Sequence, residues 1–170
     1  MISVYQGDQP DLPARVEYPA GWDVEVSRGH VEPYAQVQFY APSSLEPRVR
    51  VYVVVRALPL PAAGGRYADA GALLESYRAT LPSAFRIAGE HTRSVLGVPA
   101  RQVDVVGTLR LPWMSPQAQS VHVVGQRAFF EHAGRLYECA WLATPRVAAD
   151  VGAAFAHLLD TLTLSGSNLE

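Results

Sequence analysis

The sequence predicts an α+β domain, an antiparallel sheet with two amphipathic helices arranged ββββ-α-ββββ-α. Three observations lead there. Runs of alternating or β-branched residues cluster on either side of a single stretch of helical period. A helix inserted between runs of strands, instead of alternating with them, argues against a doubly wound parallel sheet. A second stretch of helical period follows the last strand.

At 170 residues the chain has the size of one domain, because two separate cores would leave each half near the lower limit for folding alone. Residues 1–13 are polar and Pro-containing and read as an N-terminal extension, residues 14–164 as the single domain. Residues 165–170 read as a flexible tail, its last two residues, Leu169 and Glu170, resembling a vector scar.

Within the domain, residues 14–18 alternate before Pro19-Ala20-Gly21 breaks them, and residues 22–26 alternate again, which predicts an opening hairpin with Trp22 buried at the start of its second strand. Gln36 to Tyr40 alternates polar and apolar and predicts a third strand. Residues 49–58 carry Val51, Val53, Val54 and Val55, so β-branched residues occupy both faces, as a central strand requires. A Pro/Ala/Gly linker leads to residues 67–81, where Ala70, Leu73, Leu74, Tyr77 and Leu81 share one helical face and Pro82 ends the run.

Four more strands are predicted over residues 85–95, 100–111, 121–132 and 135–143. Ala133-Gly134 joins the last two as a two-residue turn, with glycine at a position that demands positive φ. Thr144 and Pro145 read as the N-cap and first residue of the final helix, whose apolar stripe runs through Val147, Val151, Phe155, Leu158, Leu159 and Leu162.

Composition excludes several function classes. The chain is 49% hydrophobic and 18% charged, which suits a globular protein with a covered sheet and not a disordered one. All 14 basic residues are Arg, a pattern that a GC-rich, bacterial coding sequence produces. With a formal net charge of −2 and arginines scattered from Arg15 to Arg146, there is no basic stripe for nucleic acid. One cysteine, Cys139, permits no internal disulfide and sits in an apolar run as a small core residue. No stretch reaches the length of a membrane span, so the chain as it stands reads as cytoplasmic, or as exported or a lipoprotein if a leader has been removed.

Local phrases at matching intervals carry a resemblance. These are Val16-Glu17-Tyr18-Pro19-Ala20-Gly21-Trp22, then Gly97-Val98-Pro99-Ala100, then the run from Phe129 to Tyr137 followed by the last helix. With the element order, they make the chain resemble the PsbP-like family, which includes the PsbP subunit of photosystem II, the Ran-binding Mog protein and many short bacterial proteins and lipoproteins. The resemblance covers about residues 14–164. It implies an α/β/α sandwich with a central antiparallel sheet, protein-binding or assembly roles, and no shared active site.

The residues themselves supply no catalytic or metal-binding motif. Histidines 30, 91, 122, 132 and 157 form no H-x-H, H-x-x-x-H or H-E-x-x-H pattern, so no metal is expected. His122 and His132, at opposite ends of one strand, stand ~33 Å apart if extended. No G-x-S-x-G elbow surrounds any serine, and Gly64-Gly65 lacks the rest of a phosphate loop, so no cofactor is expected. Glu131 and Glu138 flank the last hairpin, with Arg127 and Arg135 as expected cross-strand partners for these acids.

The candidate binding residues are Leu111, Pro112, Trp113 and Met114, large apolar groups in a loop that continues to Pro116. Exposed, they would anchor a partner; folded back, Trp113 would cap the core, and the sequence leaves both open. The leading expectation is a non-enzymatic protein-binding or assembly module, monomeric or homodimeric, using this loop or an uncovered sheet face. The alternatives are a carrier of a small apolar ligand between sheet and helix, and an unrecognised hydrolase.

Overall fold

Two β-layers of unequal size and two helices are seen in the computed structural model, which describes residues 1–29 and 31–165. The elements run β1 (Ile2–Gln6), β2 (Ala14–Pro19), β3 (Asp23–Gly29), β4 (Tyr34–Tyr40), β5 (Tyr52–Pro59), α1 (Ala70–Thr80), β6 (Phe85–Val95), β7 (Val98–Leu111), β8 (Gln119–His132), β9 (Arg135–Ala143), α2 (Ala148–Thr161) and β10 (Thr163–Leu164). A short 3-10 turn at Pro61–Ala63 precedes α1. The large sheet has the order β3-β4-β5-β9-β8-β7-β6 and is antiparallel throughout; the small one is β1-β2-β10.

Side-chain alternation assigns each face of the large sheet its cover. On β9, Leu136 joins Leu73 and Leu74 of α1, together with Val103, Val105 and Phe129. Its odd-numbered neighbours Tyr137, Cys139 and Trp141 point the other way, into a larger core with Phe39, Val53, Val55 and Phe130 under Val151, Phe155, Leu158 and Leu159 of α2. Phe130 and Tyr137, directly opposite across β8 and β9, stack at 5.1 Å. The protein is therefore α+β, with α1 on one side and α2 and the small sheet on the other. Cys139 is a free, fully buried thiol, and burial holds it above its ordinary pKa range.

The second half of the chain follows the sequence reading closely, with β6 and β9 at the expected bounds. Ala133 (φ 48°) and Gly134 (φ 75°) turn β8 into β9, and Leu96 (φ 53°) and Gly97 (φ 75°) turn β6 into β7 in the same way. The strand expected at residues 49–58 is β5, interior between β4 and β9, while β9 is the middle strand.

The first half requires corrections. The expected opening hairpin of residues 14–18 and 22–26 does not form: β2 pairs with β1 and β10, and β3 begins the large sheet. Ala14 and Val16 are buried toward α2, and the Glu17 amide donates to Thr161 Oγ1 at 3.2 Å, so β2 is held by the helix layer. Gly21, at φ 84°, helps carry the chain across to the other layer. Residues 2–6, read as part of an extension, form the strand β1 and place Tyr5 edge-on to Phe39 at 5.9 Å. The order is thus five strands, a helix, four strands, a helix and a two-residue strand.

Helix starts also differ. The first helix begins at Ala70, not residue 67, because the Asp69 carboxylate accepts from the Ala72 amide at 2.8 Å and caps it. The second begins at Ala148, and Thr144 is not its N-cap: the Thr144 hydroxyl donates to the buried Glu46 carboxylate. Of the expected tail, residues 166–170 lie outside the described residues, as does His30; the Ser165 amide donates to the Pro13 carbonyl at 2.9 Å. Among the described residues no helix is long and apolar enough to cross a membrane.

Candidate functional site

The strands β7 and β8 outrun their neighbours. Phe85, the first residue of β6, pairs with Gly107, and Ala143, the last of β9, pairs with Val124. Beyond these points the pairs Thr108 with His122, Leu109 with Val121, Arg110 with Ser120 and Leu111 with Gln119 stand with no flanking strand. These four rungs make an arm of ~13 Å at the usual rise per residue. The Phe85 ring lies over Gly107 at the root, where a Cβ would come within 2.4 Å of it. Pleating puts Leu109, Leu111 and Val121 on one face of the arm and Thr108, Arg110, Ser120 and His122 on the other.

The tip carries the residues singled out in the sequence. Leu111 ends β7 half-buried and Pro112 is exposed; the bond between them is cis. Trp113 is 79% and Met114 88% exposed, so Trp113 does not cap the core. The loop is held by its own hydrogen bonds, from the Ser115 amide to the Pro112 carbonyl at 3.2 Å and from the Gln117 amide to Ser115 Oγ at 3.1 Å. Arg110 Nη2 ties down the Ala118 carbonyl at 3.0 Å. The two large apolar side chains are thus presented by a braced loop.

A second feature was legible in the sequence only as the pair Arg127 and Glu138. Helix α1 covers only part of its face of the large sheet, packing on β8. Beside it lies a field of Tyr, Arg and Gln side chains from β4, β5 and β8. Glu138, buried at its centre, is paired with Arg127 and lies 3.9 Å from Arg56. Arg127 stands over the Tyr77 ring at 4.6 Å, and Arg56 donates to Gln36 Oε1 at 3.0 Å. Burial opposes the charge on Arg127, but Glu138, Tyr77 and Tyr52 together outweigh it and the guanidinium is held above its ordinary pKa. Burial likewise raises the Tyr77 phenol, against the pull of Arg127. Between the C-terminal end of α1 and the sheet, a cavity of about 200 Å³ is lined by Tyr52, Tyr77, Leu81, Phe85, Val105 and Arg127, among others.

The acids near the last hairpin do not converge. Glu131 faces Leu136, and Glu138 faces Phe129. Arg127 is the partner of Glu138 as expected, but Arg135 is not a partner of either acid; it reaches Asp11 in the loop before β2. Pleating explains this, since residue 135 projects from the opposite face of β9 to residues 136 and 138. Among the described residues, no group of three or more His, Cys, Asp or Glu side chains could hold a metal ion. The histidine contacts are pairwise, His91 with Asp104 at 3.4 Å and His157 with Glu17 at 2.9 Å.

No protein-family model and no curated protein matches this sequence. Solved structures do. The solution structure of cyanobacterial PsbP from Synechocystis sp. PCC 6803 superposes with a TM-score of 0.61 at 13% identity, over 96% of this chain and 92% of that one. LpqN of Mycobacterium tuberculosis, a protein involved in cell envelope biogenesis, superposes with a TM-score of 0.53 at 14% identity, over 96% of this chain and 90% of that one. The fold is PsbP-like.

Proposed function

We propose that this chain is a non-enzymatic binding or assembly module that engages a protein partner through the tip of the β7–β8 arm. The observation that carries the reading is the placement of Trp113 and Met114, both exposed, at the end of four unflanked rungs. Large apolar groups gain most when water is removed from them, and a Trp on a braced loop loses little conformational freedom on binding. The half-buried Leu109, Leu111 and Val121 continue the apolar surface along one face of the arm. The fold relatives support an accessory role: LpqN is involved in cell envelope biogenesis, which suits an exported location for this chain better than a cytoplasmic one.

A photo-crosslinking residue at position 113, with affinity recovery from the source organism, tests the proposal. The expected result is one dominant crosslinked protein, lost when unlabelled wild type competes and retained when the unlabelled Trp113→Ala/Met114→Ala double variant is used instead. Equal competition by the wild type and the double variant removes the arm from the function. The described hydrogen bonds of Ser76 and Ser115 run to Tyr67 and to the loop backbone, which speaks against either serine as a hydrolase nucleophile.

A further inference from the structure

We infer that the cavity under the C-terminal end of α1 binds a small aromatic carboxylate, with its ring among Tyr52, Tyr77 and Phe85 and its carboxylate on Arg127. This site is separate from the arm and stands independently of the protein-binding proposal.

Size comes first. An apolar cavity of about 150 Å³ is enough to hold benzene, so about 200 Å³ has room for one ring and a small substituent. Shape and chemistry then select the ring. Tyr52, Tyr77 and Phe85 line the cavity with Leu81 and Val105, which gives ring faces and edges for offset or edge-on contact.

Charge selects the head group. Among the described residues, Arg127 is the charged group lining the cavity, and its side chain is 26% exposed. Glu138 is bound through Arg127 Nη1, and a guanidinium has five N–H donors in a planar fork. Glu138 is also shared with Arg56, so two guanidinium groups face one carboxylate and the cluster carries one surplus positive charge. The nearby acid Glu25 does not remove that surplus, because it is paired with Arg50 at 2.7 Å. A monoanion presented to the cavity side of Arg127 balances the cluster and can accept the donors not used by Glu138. The polar ends of Tyr52 and Tyr77 line the same cavity.

The test is a two-dimensional NMR titration of the folded chain with phenylacetate and benzoate, and with benzyl alcohol as the neutral counterpart. Saturable shifts are expected at Tyr52, Tyr77 and Val105 for both acids, with dissociation constants in the millimolar range and about tenfold weaker binding of the alcohol. Leu142→Trp, which fills the cavity from its β9 wall, should abolish binding. Arg127→Gln should erase the preference for the acids; if that variant does not fold, Leu142→Trp and the acid-alcohol comparison still decide. The inference is overturned by non-saturating shifts, by equal affinity for the alcohol, or by unchanged binding to Leu142→Trp. Trp113→Ala should bind the acids as the wild type does, so failure at one site is distinguishable from failure at the other.

Discussion

Glu46→Gln should destabilise the protein in a pH-dependent way. Glu46 lies in the loop between β4 and β5 with its side chain fully buried. It accepts from the Arg48 amide at 3.0 Å and from Arg48 Nε at 3.1 Å, receives the Thr144 hydroxyl, and lies 3.5 Å from Arg146 Nε. These contacts fasten the loop to the entry of α2. The hydrogen bonds from Arg48 and Thr144 outweigh the cost of burial and hold the carboxyl at about 2, against 4.5 for a free one. Taken in full, that depression corresponds to roughly 3 kcal/mol. Both arginine side chains are 58% exposed, however, so water screens much of it, and we expect about 1–2 kcal/mol at pH 7.

The sign follows from a folded pKa below the unfolded one. The stabilisation is present above pH 4.5 and is lost as pH falls toward 2. Urea unfolding of wild type and Glu46→Gln at several pH values should show a gap that is constant from neutral pH to about 5 and narrows steadily below it. A gap that stays the same down to pH 3 would refute the reasoning, because the loss would then come from packing or from the amide's mismatched donors and not from charge.

Leu74→Ala should cost about 2–5 kcal/mol by urea unfolding, since Leu74 is fully buried between α1 and the sheet. Trp113→Ala should change stability by no more than about 0.5 kcal/mol despite the larger side chain removed, because that side chain is 79% exposed; a larger loss would mean that the indole packs on the core. Cys139 should resist aromatic disulfide reagents in the native state and react only as fast as the protein opens, its thiol being buried and shifted up. Rapid labelling without denaturant would contradict that placement.

The candidate site was only half legible in the sequence. Leu111, Pro112, Trp113 and Met114 were visible as large apolar groups in a proline-flanked loop, but whether Trp113 would fold back was not. Exposure depends on where β6 and β9 stop relative to β7 and β8, and that is a matter of register between strands far apart in sequence. One signal was available: β7 and β8 are long in sequence and their neighbours shorter, so an overhang could be expected once pairing was known. Within the Arg127, Glu138 and Arg56 cluster only the first two were legible as a hairpin pair; Arg56 gave no such signal, because β5 is separated from β8 and β9 in sequence by α1, β6 and β7.

What the sequence determined by itself was everything governed by local periodicity and turn chemistry. The strand runs β6 and β9 were bounded to the residue, the helical stripes marked α1 and α2, and Gly134 marked the turn between β8 and β9 because glycine takes positive φ without steric cost. Partner choice was decided only by the tertiary structure. The alternation in β2 is equally satisfied by pairing with β3 or with β1, and it was the burial of Ala14 and Val16 beneath α2 that selected β1. Thr144 shows the same limit at a helix end: the sequence shows a hydroxyl suited to cap a helix, and a buried carboxylate 98 residues away takes its proton donor instead. A charged acceptor out of water outcompetes a backbone amide that solvent can satisfy.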